Sequence, residues 1–415
     1  MSKNGLFSQA SWSLTGQVGF YGLQWMNMII LARLSGPEAV GLYTLGLAIA
    51  NPIMAMASLM FRLVYTAEQK NLWGIEDYEA VRWITLPIGV FAIAAVAFGL
   101  GYSELTLIVI LIAASWKFAE TLSDINYAIP QKRGDMRAIA LSMIMRAVIS
   151  SFVLAVVLYY SNRLDFALGA FSLSWWICYL MIDKRFLLQA EPKVGDATRL
   201  DLVRFALPLA LSTAVVYLTF SIPRIVLDQY DDTATLGIFA AISHLLLVGA
   251  LVVNSVGAAI APRLSRYFVT GEMNAYFKEI GIAVSAATFV ALGFIGTAYF
   301  AGDLLITIIY GSAIAGQGDL VFIMSLAAFP MYIGSILGFI PPALQAYRFH
   351  LIVNVITIIG TTFAAFTFIP SMGTVGAVYA VMVQGTLQLL NSLILLKRPK
   401  TNSQEPEEPS MLEVE

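Results

Sequence analysis

Charge is what this sequence has least of. Of its 415 residues, 12% are charged and 59% hydrophobic, with 24 basic and 26 acidic side chains. A soluble domain carries about 25% charged residues. Half that share cannot cover a water-facing surface of this size, which excludes a soluble enzyme, a secreted disulfide scaffold and a disordered chain. Cysteine and histidine are also scarce. The single Cys178 can form neither an intrachain disulfide nor a metal site by itself. His244 and His350 are too few and too far apart for a ligand cluster. A net charge of −2 leaves no basic footprint, so no nucleic-acid partner is expected. There is no GxxxxGK[ST] and no nucleophile beside a base, so neither a catalytic residue, a metal nor a cofactor is expected.

What is present is membrane-length apolar sequence, repeated. A helix needs about 20 apolar residues to cross about 30 Å of hydrocarbon. Charge-free runs of that order occupy 4–32, 39–61, 83–103, 205–223, 233–262, 281–302, 320–347 and 349–396. The last is interrupted by Pro370-Ser371-Met372-Gly373 and reads as two helices. Three further spans at about 105–127, 139–160 and 166–187 are shorter or carry charge. The expectation is an all-α polytopic membrane protein of twelve transmembrane helices. The first run lacks the compact core and cleavage site of a signal peptide and reads as a retained span. Segment 303–318 is too short to cross and is expected as an outer-face helix or re-entrant piece.

Lys and Arg fix the expected orientation. With the N-terminus inside, nineteen of the 24 basic residues fall at cytoplasmic ends and loops, Arg62 among them as an anchor, while Arg33, Arg163 and Arg224 face outward. An even number of spans then puts both termini in the cytoplasm. The tail 398–415, rich in Pro, Glu and Ser, is expected to be disordered.

The longest hydrophilic interval between spans, 188–204, separates six spans from six. A weak repeat spans the two parts: Gly41-Leu42-Tyr43 lines up with Gly237-Ile238-Phe239 at an offset of 196 residues. Six spans per half make the repeat parallel, a transporter plan with the path between halves. The expected units are a bundle at 1–196, a second at 197–397, and the tail.

Several stretches resemble those of bacterial polysaccharide (Wzx-type) flippases, a branch of the multidrug/oligosaccharidyl-lipid/polysaccharide exporter superfamily. They are LARLSGPEAVGLYTLGLAIANPI (31–53), QKRGDM (131–136), FALPLALS (205–212), IPRIVLDQYDDTATLGIFAA (222–241) and APRLSRYFVTGE (261–272). The resemblance runs over roughly 8–397. It implies a V-shaped pair of six-helix bundles around a polar, often cationic cavity. It also implies an inner-membrane flippase for polyprenyl-diphosphate-linked oligosaccharide, with membrane lipids and a polymerase or other assembly proteins as partners. The alternative on the same fold is a cation-coupled drug antiporter. A polysaccharide polymerase or ligase would need a large outer loop, and every outer loop here is short.

Charges within spans are costly, at least about 2.5–3.5 kcal/mol at midplane. Lys117, Glu120 and Asp124, spaced by three and four, share one face of span four. Arg146 lies at matching depth in span five, and the short loop between the two spans makes them expected neighbours, so that Glu120 and Arg146 can meet. Two readings stay open: an internal ion-pair cluster, or Lys117 and Arg146 holding substrate phosphate with Glu120 and Asp124 tuning them. Arg suits a diphosphate through its bidentate fork. Arg33 and Arg224, near the outer ends of spans one and seven, read as snorkelling residues or as a cationic exit. Gln384 and Gln388 share a face of span twelve and suit either a sugar or interhelical hydrogen bonds. His244 reads as a hydrogen-bonded core histidine or a protonation switch.

Overall fold

The computed structural model describes residues 3–396 except 69, 191, 192, 194, 196 and 341–346. The tail expected to be disordered lies outside the described residues. Backbone in hydrocarbon must satisfy its own hydrogen bonds, and the described chain is accordingly helical. In order it forms α1 (Lys3–Ala57), α2 (Phe61–Ala67), α3 (Ile75–Gly99), α4 (Glu104–Lys132), α5 (Met136–Ser161), α6 (Leu164–Met181), a 3-10 turn (Asp183–Gln189), α7 (Arg199–Tyr230), α8 (Thr233–Val269), α9 (Met273–Tyr310), a 3-10 turn (Ser312–Ile314), α10 (Gly318–Leu326), α11 (Ala328–Leu337) and α12 (Tyr347–Leu396). Among the described residues, ten helical stretches are long and apolar enough to cross a membrane.

Two helices fold back on themselves. The 55 residues of α1 would span about 80 Å if straight. The helix breaks at Gly36 (φ 82°, ψ −174°), a backbone region that only glycine occupies readily. Beyond the break the chain returns, so that the Tyr43 hydroxyl donates to Gln24 Oε1 at 3.2 Å. In the same way α12 breaks at Gly373 (φ 53°, ψ −125°), inside the interruption expected from Pro370 to Gly373. Its two arms meet where the Phe368 ring stands edge-on to Tyr379 at 5.9 Å. The 303–318 segment begins as the end of α9, past a bend at Ala301, and buries Ile306, Tyr310 and Ile314 while Leu304 and Ile308 stay exposed.

The Gly36 and Gly373 breaks lie at one end of the molecule: Gly373 approaches Asp231, and Arg33 reaches the end of α9. At the opposite end, Trp73 Nε1 donates to the Thr198 carbonyl at 2.9 Å, and Asp77 accepts from both Lys193 and Arg199 at 3.0 Å. There Leu202, Ala206 and Ala210 of α7 are buried against α2, α3 and α4. The short loop from α4 to α5 does not make these helices close partners. Instead α6 packs against both, and contact between α4 and α5 is slight.

Candidate functional site

A cavity of about 270 Å³ opens among α1, α2, α4, α5 and α7. Its charged lining is Arg62, Lys117 and Arg146 against Glu120 and Asp124, an excess of one positive charge. The three- and four-residue spacing on α4 does place Lys117, Glu120 and Asp124 along one face, and that face is turned to the cavity. Lys117 Nζ donates to Glu120 Oε2 at 2.6 Å. Both side chains stay partly exposed, at 19% and 27%, so the pair is within reach of a ligand.

Arg146 also reaches the cavity, but its carboxylate is Asp183 rather than Glu120. Nη1 donates to Asp183 Oδ2 at 3.3 Å, with both side chains almost fully enclosed. Because α6 is packed between α4 and α5, the group brought up to Arg146 is the one that opens the 3-10 turn just after α6. Ser142 donates to the other oxygen of Asp183, and the Tyr127 hydroxyl lies 3.0 Å from Ser142 Oγ. The guanidinium sits 4.4 Å from the Trp175 ring centroid, with Tyr127 and Phe20 at 5.5 and 5.8 Å. Rings around a desolvated cation attract it through their negative faces.

Arg62, expected as an anchor at the cytoplasmic end of span two, lines the cavity. Leu59 and Met60 both take left-handed backbone conformations (φ 50° and 48°) between α1 and α2. That turn swings the start of α2 so that Arg62 Nε donates to Gln131 Oε1 at 2.7 Å and Nη1 to Asp124 Oδ1 at 3.2 Å. Two non-glycine residues in this region cost of order 1–3 kcal/mol each. Behind Asp124 stands Arg82, wholly buried, 3.6 Å from Oδ2. Asp124 is therefore shared by two guanidinium groups.

Five other expected residues lie apart from this cavity. Arg33 Nε donates to the Ile309 carbonyl at 3.1 Å and Nη2 to that of Ile308, capping the last turn of α9. Arg224 and Gln384 come together in the second half, in a pocket of about 30 Å³, room for roughly one water. Arg224 donates to the Phe220 carbonyl and has no acidic partner among the described residues, while Gln384 Oε1 is buried without a hydrogen bond. Gln388 packs against Gly334 and Gly338 of the neighbouring segment. His244 has Nδ1 3.0 Å from the Ala240 carbonyl one turn back, the arrangement of a core histidine.

The sequence reading missed Asp183, Arg82, Tyr21 and Tyr217. Asp183 opens an Asp-Lys-Arg run that reads as a polar span end, and no local signal marks it as buried. Tyr21 of α1 and Tyr217 of α7 line the cavity from the first and second halves, with Asn51, Ser58, Thr121 and Thr213 supplying neutral hydrogen-bonding groups.

A family model described as polysaccharide biosynthesis protein matches residues 80–268. The capsular polysaccharide biosynthesis protein CapF of Staphylococcus aureus is 24% identical over 380 residues, covering 90% of this chain and 95% of CapF. The lipid II flippase MurJ, in an inward closed conformation, has the same fold at a TM-score of 0.71 and 14% identity, covering 94% of this chain and 88% of that one. An inward-facing multidrug resistance MATE transporter of the MOP superfamily matches at 0.63 and 12%, covering 96% of each chain. The chain thus has the fold of the MurJ and MATE transporters, and it is similar to polysaccharide biosynthesis proteins over residues 80–268 and, through CapF, along most of its length.

Proposed function

We propose that this protein carries a polyprenyl-diphosphate-linked oligosaccharide across the bacterial inner membrane for surface polysaccharide biosynthesis, by alternating access. The observation that carries the reading is the cavity: a net positive lining, beside neutral polar and aromatic groups from both halves of the chain. A lipid diphosphate cannot leave the headgroup layer as a bare anion, because an unpaired charge in apolar surroundings is prohibitively costly. Lys117 and Arg62 are partly exposed cations that can exchange a carboxylate for a phosphate. Arg146, locked to Asp183, contributes a fixed fork. Tyr21, Tyr217 and the hydroxyl and amide groups suit sugar rings.

In this reading α1 and α12 each cross twice, so the ten stretches make twelve crossings, six in the bundle 1–196 and six in 197–397. Both termini are cytoplasmic. Arg33 and Arg224 serve the outer part of the route once the halves have rocked, and Gln384 and Gln388 add polar contacts within the path. The lipid-linked oligosaccharide and membrane lipids are the partners, with polymerase or other assembly proteins taking the product. The antiporter alternative wants a free carboxylate for a cation. Glu120 and Asp124 are both held by basic partners, which favours the anionic substrate.

The test is glycan export in cells lacking the native gene. Lys117→Ala and Arg62→Ala should abolish export with the protein still in the membrane, and Lys117→Arg should recover part of it. Export at the native level in both alanine variants would remove the phosphate reading.

A further inference from the structure

The two glycines that align in the sequence repeat meet in space. A Cβ on Gly41 would lie 1.9 Å from the Thr233 carbonyl oxygen, and one on Gly237 would lie 1.8 Å from that of Pro37 and 2.9 Å from the Gly41 nitrogen. Pro37 and Thr233 stand at the same 196-residue offset as the glycines. Each repeat thus presents a carbonyl to the glycine of the other, a reciprocal contact about a pseudo-twofold axis. Both glycines are inside helices with ordinary backbone angles, so close approach, not turn geometry, is what requires them.

Other links between the halves surround this crossing. Trp25 Nε1 donates to the Tyr310 hydroxyl at 2.7 Å, which donates to the Ala241 carbonyl at 3.0 Å. Arg33 caps Ile308 and Ile309 at the same end. Along α8 the seal then gives way: Leu236, Phe239, Ala240 and Leu246 are buried, whereas Leu251, Val252, Asn254 and Ser255 are exposed. On α1 likewise, Asn27 to Ala32 are enclosed or nearly so, while Leu14, Val18 and Tyr21 are exposed. The halves are pinched together at the Gly36 end, whereas at the opposite end it is α7 that reaches across to the first half.

We propose that the reciprocal Gly41–Gly237 crossing is the gate that closes this end of the transport path. Apart from the Thr233 methyl group, which lies over Gly41, the contact is backbone on backbone, so the two surfaces can part and re-form without extracting a large side chain from a socket. The few hydrogen bonds around them join single donors to carbonyl or hydroxyl oxygens, and those can be exchanged for water as the end opens. A methyl group on either glycine would wedge the closed form and shift the population toward the form open at this end. The proposal rests on the alternating-access reading but not on the identity of the substrate.

The experiment uses the full-length purified protein in nanodiscs, in a Cys178→Ala background, with no substrate added. Thr44, one turn inward of Gly41 on the same face and buried, carries the first reporter as Thr44→Cys. Ala55, which lines the 270 Å³ cavity, carries the second as Ala55→Cys. With a soluble maleimide as probe, Gly41→Ala and Gly237→Ala should each speed labelling at position 44 by at least about ten-fold, the population change that about 1.4 kcal/mol produces. Labelling at position 55 should slow at the same time. An unchanged rate at 44 overturns the gate. A rise at both positions also overturns it, because the contact is then packing that the fold needs in every state. Since labelling requires no glycan, native export in both Lys117→Ala and Arg62→Ala would refute the substrate reading while leaving this result standing.

Discussion

Arg146 and Asp183 form the most enclosed ion pair of the cavity wall, 3.3 Å apart with 3% and 0% of their side chains exposed. Removing one partner of a fully buried pair costs about 3–5 kcal/mol, because the other charge is stranded. Asp183→Asn should therefore lower the amount of folded protein in the membrane, measured by fluorescence-detected size exclusion. Asp183→Asn combined with Arg146→Gln should restore much of it. Glu120→Gln, in a partly exposed pair, should cost no more than about 1 kcal/mol and leave the protein level near native. A larger loss from Glu120→Gln than from Asp183→Asn would contradict the pairing.

Asp124 neutralises Arg62 and the wholly buried Arg82 together. Asp124→Asn is expected to destabilise more than Arg62→Gln, since only the former removes the carboxylate that lies within 4 Å of the buried Arg82 among the described residues. Thermal unfolding of the two purified variants compares them directly. Equal melting temperatures would show that Arg82 finds its compensation elsewhere.

Gly36 holds a backbone conformation that an L side chain enters only at a cost of order 1–3 kcal/mol. Gly36→Ala should lower the melting temperature by several degrees. Gly99 has no positive φ and nothing within 4 Å of its would-be Cβ, so Gly99→Ala should not lower it. A matching drop in both would remove the conformational argument for the fold-back of α1.

The orientation proposed here is tested from outside intact cells. Single cysteines placed at Met372 and Asp232 should react with an impermeant maleimide, and one at Arg266 should not. Labelling at Arg266 with protection at Asp232 would invert the topology and exchange the two mouths of the path.

Local spacing was enough to settle a good deal. The shortage of charge declared a membrane protein, and the interval of Lys117, Glu120 and Asp124 put them on one face of α4 because helical geometry leaves no other arrangement. The interruption from Pro370 to Gly373 marked the fold-back of α12, and the alignment of Gly41 with Gly237 pointed at two positions that touch. What the sequence could not decide was which helices are neighbours. In water an apolar stripe names the buried face of a helix, but lipid is as apolar as the protein interior, so the same residues serve both sides. Phe171 is fully enclosed while Phe152 is 68% exposed, and nothing in their local sequence separates them. For that reason the short α4–α5 loop suggested Glu120 as the partner of Arg146, and only the packing of α6 between those helices supplied Asp183 instead. Arg62 likewise reads as an anchor at a span end until the turn at Leu59 and Met60 carries it into the cavity.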